Sequence, residues 1–244
     1  MAMHVILPQA TTGQIGMRGR RKKGRVPVLY LLHGLSDDHT IWMRRTSIER
    51  YASEQGLAVV MPAVARSMYQ DMASGPRYWT FVSQELPCLA QQFFPLSDRR
   101  EDTFVAGLSM GGYGAFRLAL ACPDRFAAAA SFSGVLDLAA CQEGSILSSI
   151  ERESIFGKDA TIKDTEADLF CLARRLAASG KSIPKLYQYC GDQDFLWQDN
   201  LRFRGMARRL RLPLTWRQDD GNHGWRYWDR QIEQVLDWLP LRPG

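Results

Sequence analysis

Long apolar runs are missing from this 244-residue chain. The longest stretch, FAAAASFSGVLDLAA, is broken by serines, a glycine and an aspartate and is too short to cross a bilayer. Cysteine is sparse. The five present (Cys88, Cys122, Cys141, Cys171 and Cys190) are scattered, odd in number and nowhere spaced as CxxC. That pattern excludes a disulfide framework and a zinc ribbon and reads as small buried residues kept reduced. The opening MAMHVILPQATTG places no charged segment ahead of a long apolar run, so no signal peptide is expected and a cytoplasmic protein is the reading. Histidine is scarcer still, with four residues in all.

A strong charge imbalance is also lacking once one local cluster is set aside. The net charge is +5, but Arg18, Arg20, Arg21, Lys22, Lys23 and Arg25 fall within eight residues, and removing these six turns +5 into −1. A basic run punctuated by glycine between two strand-like segments reads as a solvated turn, which argues against a nucleic-acid or membrane surface. What the chain does have is bulk apolar content. Forty-five per cent of its residues are hydrophobic, enough for one large core, and no repeat, linker or low-complexity tract divides residues 1–244 into more than one domain.

Short apolar runs alternate with longer helical patterns. HVILP (4–8), VPVLYLL (26–32), AVVMP (58–62), TFVAG (103–107), AAAASFS (127–133), KLYQYCG (185–191) and LTWRQ (214–218) read as strands. Helices are expected near 46–55, 79–94, 111–122, 198–211 and 225–239, the second kinked or split at Pro87. This alternation predicts an α/β fold with a mainly parallel central sheet covered by helices on both faces. Residues 137–184 interrupt it with helix-like patches and no strand, the pattern of a cap or pocket-forming insert.

The chemistry centres on TFVAGLSMGGYGAFRLAL, where Ser109 stands in Gly107-Leu108-Ser109-Met110-Gly111. A G-x-S-x-G sequence between a strand and a helix is a nucleophile elbow: the turn is so tight that side chains two before and two after the serine would clash. The following helix aims its positive end and free N–H groups at the place where negative charge develops, making the Met110 N–H a natural oxyanion donor. A serine needs a base and the base an orienting acid, in the chain order Ser, Asp or Glu, His for this type of site. His223 in DDGNHGWRYW is the one histidine after the elbow. CGDQDFLW offers two acids, Asp192 and Asp194; presentation from the loop beyond the strand favours Asp194, with Asp192 shaping the turn. Asp199, Asp219 and Asp220 are weaker candidates. A second oxyanion donor is expected from YLLHGLSDDHTIW, at the Leu35 N–H, with His33 making a structural hydrogen bond and Asp37, Asp38 and His39 serving as loop polar groups rather than metal ligands. Trp42, Trp197 and Trp225 each follow one of these loops, and either fill the core or line a small substrate pocket.

With these residues placed, the chain resembles the α/β-hydrolase carboxylesterases of the esterase D and S-formylglutathione hydrolase-like group, and most of all the bacterial tributyrin esterases. VLYLLHGLSDDHTIWMRRTSIERY, AVVMP, TFVAGLSMGGYGAFRLAL, CGDQDFLWQDNLRF and DGNHGWRYWDRQI carry the likeness. It implies the α/β-hydrolase fold and a serine esterase for short acyl chains, with Ser109, Asp194 and His223 as triad and Leu35 and Met110 as oxyanion donors. It also implies a small-molecule ester as partner and neither cofactor nor metal. GLSMGGYG and HGWRYW differ from the G-H-S-M-G-G-H-G and H-S-Y-Y-F strings of S-formylglutathione hydrolases, which weighs against a glutathione thioester. A thioesterase, a carbohydrate acetyl or feruloyl esterase, an acyltransferase and a non-catalytic hydrolase-fold binding protein stand as alternatives. The sequence leaves a homo-oligomer open.

Overall fold

The computed structural model describes residues 1–11, 13–21, 23–141 and 146–241. Each of the seven stretches read as strands contributes one: β1 (Met3–Ile6), β2 (Val28–Leu32), β3 (Ala58–Pro62), β4 (Thr103–Leu108), β5 (Ala128–Phe132), β6 (Lys185–Tyr189) and β7 (Leu214–Arg217). They form one sheet in the order β1-β3-β2-β4-β5-β6-β7. All neighbours are parallel except β1, which runs antiparallel to β3. In the centre, β2 and β4 pair with Leu32 opposite Gly107.

The helices are α1 (Ile41–Arg45), α2 (Ile48–Gln55), α3 (Tyr78–Thr80), α4 (Leu86–Phe93), α5 (Met110–Ala121), α6 (Ser149–Phe156), α7 (Leu169–Ala178), α8 (Trp197–Arg209) and α9 (Trp225–Trp238). Side chains alternate across a strand, and here both faces are covered. Val28, Tyr30 and Leu32 point into a core shared with Tyr113 and Phe116 of α5 and Phe203 of α8. Leu29 and Leu31 enter the opposite core with Trp42 of α1, Ala52 of α2 and Ile232 of α9. β2, β3, β4 and β5 are buried at every position, which is why they read as continuous apolar runs rather than alternating ones. The fold is that of an α/β hydrolase.

Pro87 has the expected effect. A π-helical turn, Phe81–Glu85, joins α3 to α4 just ahead of it. Proline has no N–H to give the carbonyl four residues back, and the Arg125 guanidinium donates to that carbonyl, Ser83 O, instead.

Between β5 and β6 the chain carries α6 and α7 and no strand among its described residues; 142–145 of this segment lie outside them. Ser148 and Glu151 cap α6 reciprocally, and the same Glu151 accepts from Arg66 Nε at 2.5 Å, tying the segment to the loop after β3. Arg117 of α5 anchors the other end. Buried, it donates to Tyr69 O at 2.6 Å and Glu166 O at 3.1 Å and lies over the Trp79 ring. Of the basic run, Lys22 lies outside the described residues; Arg18, Arg20, Arg21, Lys23 and Arg25 are exposed on the connection between β1 and β2. Among the described residues no helix is long and apolar enough to cross a membrane.

Candidate active site

Ser109 occupies the bend between β4 and α5 with φ 52° and ψ −117°, a conformation that L-residues rarely adopt. Three hydrogen bonds hold it there. Its N–H donates to Phe132 O at 2.8 Å, and its carbonyl accepts from Tyr113 N at 3.1 Å and Val135 N at 3.2 Å. The flanking glycines are steric necessities. A Cβ on Gly107 would stand 2.4 Å from Gly111 O, and one on Gly111 would stand 2.5 Å from Leu32 O. The bend lifts Ser109 to the wall of a cavity of about 390 Å³ at the carboxyl ends of the strands, where open α/β sheets hold their ligands.

The loops after β6 and β7 bring Asp194 and His223 to the same place. Asp194 is buried, and its carboxylate oxygens stand 3.0 and 2.9 Å from His223 Nδ1. Oδ1 also accepts from Leu196 N at 2.9 Å, which fixes the carboxylate in its plane. A carboxylate facing Nδ1 assigns the proton to that nitrogen and leaves Nε2 with its lone pair. The imidazole lies between two aromatic rings, Phe195 at 4.5 Å and Trp228 at 4.8 Å between centroids, and it lines the cavity that Ser109 lines. Trp228 is itself held by an Nε1–H donation to Ser133 Oγ at 3.2 Å.

These two loops are laced by their backbones. Asp192 N donates to Asp219 O at 3.0 Å and Gln193 N to Gly221 O at 3.1 Å. Asp219 holds its own loop, accepting from Tyr189 Oη at 2.6 Å and Gly221 N at 2.9 Å. Asp199 pairs with Arg202 on α8, and Asp192 is an exposed turn residue. Asp194 is thus the carboxylate that meets the imidazole.

Leu35 and Met110 both line the cavity. Met110 opens α5, so its N–H has no intrahelical acceptor. His33 is buried with both ring nitrogens engaged: Nδ1 lies 2.8 Å from Gly34 O and Nε2 accepts from Val64 N at 3.1 Å. Burial pushes its pKa below the usual histidine value, which keeps the ring neutral. It is a strut between two loops.

Of the three tryptophans read as pocket candidates, only Trp225 lines the cavity. Trp42 is a correction: it is buried in the core beneath, edge-on to Phe132 and Trp225, with its indole N–H given to Leu32 O at 3.0 Å. Trp197 is another; its ring packs on Trp216 at 5.7 Å. Sequence reasoning missed Phe195 and Trp228, whose neighbours Asp194 and His223 could have drawn attention to them. It also missed Arg66, for which no local signal exists. Asp37, read as a loop polar group, faces the cavity as well. From the 137–184 segment Ile146 reaches the wall. Among the described residues no three His, Cys, Asp or Glu side chains converge as a metal site would require.

The profile of the putative esterase family matches residues 3–239, nearly the whole chain. The chain belongs to that family. This esterase is 29% identical over 218 residues to an acetyl esterase of Caldicellulosiruptor saccharolyticus, a match covering 86% of the chain and 82% of the relative. Among solved structures it resembles the fluorophosphonate-binding serine hydrolase FphF of Staphylococcus aureus in its substrate-bound form. That match has a TM-score of 0.85 and 40% identity, and covers 98% of this chain and 91% of the other. The S-formylglutathione hydrolase FrmB of the same organism superimposes with a TM-score of 0.83 and 39% identity, covering 98% and 92%. The protein is therefore a serine hydrolase of the esterase D and S-formylglutathione hydrolase-like α/β-hydrolases.

Proposed function

We propose that this esterase cleaves short-chain acyl esters through a covalent acyl-enzyme, with Ser109 as nucleophile, His223 as general base and acid, and Asp194 as the group that orients the imidazole. The observation that carries the reading is the pair of Asp194–His223 contacts at 2.9 and 3.0 Å, beside a cavity that Ser109 enters on a strained bend. In the acylation step His223 Nε2 takes the Ser109 hydroxyl proton as Oγ bonds to the ester carbonyl carbon. The carbonyl π-electrons move to oxygen, where the Leu35 and Met110 N–H groups receive the charge. Collapse of the tetrahedral species expels the alcohol, which leaves with the proton from His223. Water then enters and bonds to the acyl carbon as the same imidazole takes its proton; the bond from the acyl carbon to Ser109 Oγ breaks, the acid leaves and the proton returns to Oγ. No cofactor is required for this sequence.

The preference for short acyl chains rests on the size of the cavity and on Leu108, Val135 and Ile146 in its walls. We propose the 137–184 segment as a contributor to the pocket within one 1–244 domain, since Ile146 reaches the wall from it. A thioester reading has its own support in the 39% identity to an S-formylglutathione hydrolase. The test is a panel of p-nitrophenyl esters from two to twelve carbons with S-formylglutathione beside it, run on the wild type and on Ser109→Ala. Turnover is expected to peak at the short esters and to vanish in the variant. Undiminished turnover by Ser109→Ala would exclude this nucleophile, and a peak at the longest chains would exclude the short-acyl preference.

A further inference from the structure

Three titratable side chains line the cavity, and two of them are already matched. His223 has Asp194 behind it, and Arg66 gives its Nε–H to Glu151. Asp37 is the exception. It is half-buried in the cavity wall and, among the described residues, belongs to no ion pair. Burial raises its pKa above the ordinary carboxylate value, against the opposing pulls of the Gly34 backbone and the Arg44 charge. Its neighbour provides the contrast. Asp38 turns away to accept from Thr40 N at 2.8 Å and Thr40 Oγ1 at 2.5 Å, and these bonds lower its pKa. Asp37 carries its charge in a partly desolvated place, held by the Gly34 backbone but with no ion-pair partner, in the loop that supplies Leu35.

Aromatic rings share the cavity with Asp37. Phe195, Trp225 and Trp228 line the same cavity, and Phe195 is 67% exposed although it is a large apolar side chain. A carboxylate and several aromatic rings around one small cavity form the chemistry that recognises an alkylammonium: the rings attract the cation through their quadrupoles and the carboxylate through its charge. The same wall disfavours a leaving group that brings its own negative charge. The Glu151 carboxylate neutralises the cation that would otherwise attract one.

We propose that Asp37, with the aromatic wall, is a specificity-determining residue of the leaving-group side of the cavity and selects acyl esters of ammonium-bearing alcohols over neutral ones of the same shape. The inference rests on the reading of Ser109 as nucleophile in this cavity.

The experiment compares kcat/KM for acetylcholine and for 3,3-dimethylbutyl acetate, its uncharged isostere, in the wild type, Asp37→Asn and Asp37→Glu. It is run near pH 8, where the carboxylate is ionised. Because the readout is a ratio taken within each protein, a general loss of activity in a variant does not disturb it. The wild type is expected to favour the cationic ester by about tenfold or more, the order expected of one partly desolvated charge pair. Asp37→Asn should bring the ratio to about one, and Asp37→Glu should retain most of it. As a second measure, choline should inhibit hydrolysis of the neutral ester by the wild type, and about tenfold less well in Asp37→Asn. Equal kcat/KM for the two esters in the wild type, or a preference unchanged in Asp37→Asn, overturns the inference and leaves the esterase reading standing. Failure to hydrolyse either ester, or hydrolysis that survives Ser109→Ala, overturns the reading beneath it as well.

Discussion

Gly191 and Gly221 touch backbone to backbone: a Cβ placed on Gly191 would lie 2.0 Å from the Gly221 carbonyl oxygen. One glycine introduces the loop that carries Asp194, and the other stands two residues before His223. The closeness of the carboxylate and the imidazole therefore depends on a position with no side chain. Gly191→Ala would have to push the loops apart. It is expected to lower stability by about 1–3 kcal/mol, the range for overpacking a tight site, and to reduce kcat more than the loss of folded protein explains. Urea denaturation with activity per folded molecule measures both.

The bend at Ser109 stores strain that glycine would relieve. Ser109→Gly is expected to abolish esterase activity while stabilising the fold by about 1 kcal/mol, since a non-glycine residue at such a φ costs about 1–3 kcal/mol and the freer unfolded chain takes part of that back. In a protein of this size the melting temperature should rise by about 2–4 °C. An unchanged or lower melting temperature would mean that the three hydrogen bonds on the Ser109 backbone absorb the cost.

Asp194→Asn separates orientation from folding. The amide oxygen can still accept from the Leu196 N–H, so the loop should persist and melting should change little. An amide NH₂ facing Nδ1 would instead favour the tautomer whose Nε2 bears the proton and cannot serve as base. A fall in kcat of about 10⁴ with KM little altered is expected. Steady-state kinetics on p-nitrophenyl acetate read it directly.

The tie between the loop after β3 and α6 should respond to acid. The Arg66 guanidinium and the Ser148 N–H and hydroxyl hold the Glu151 pKa down to about 2. A carboxyl whose folded pKa lies below its unfolded value of about 4.3 adds stability above that pH and loses it as the pH falls toward the folded value. Wild type is therefore expected to melt above Glu151→Gln at about pH 6, with the gap narrowing between about pH 5 and pH 3. Calorimetry across that range tests the sign, and a constant gap would argue against it.

The sequence was most legible where a local rule acts alone. Alternation of buried runs with helical periods marked all seven strands, and the interval from Gly107 to Gly111 marked the bend because the clash that demands those glycines lies within a few residues of Ser109. Asp194 needed more, since Asp192 is as close to the strand end and only the three-dimensional crossing of two loops brings one of them to the imidazole. Trp42 and Trp197 were left open between core and pocket for a related reason. A tryptophan after a loop can turn to either side of it, and the acceptor that draws Trp42 inward, Leu32 O, lies on β2, ten residues away. Arg66 gave no signal because its meaning depends on Glu151, 85 positions further along the chain.

The pairing of Leu32 with Gly107 reaches beyond the sheet. Leu35 and Met110 are each the third residue past that pair, so the two proposed donors leave adjoining strands at equal remove from it. The points from which the two loops depart are set by the spacing of parallel strands, about 4.8 Å, and by the ladder that maintains it. A ruler made of main chain is indifferent to side-chain drift, so substitutions around the cavity can retune which ester is accepted while the roots of the proposed oxyanion cradle stay in place.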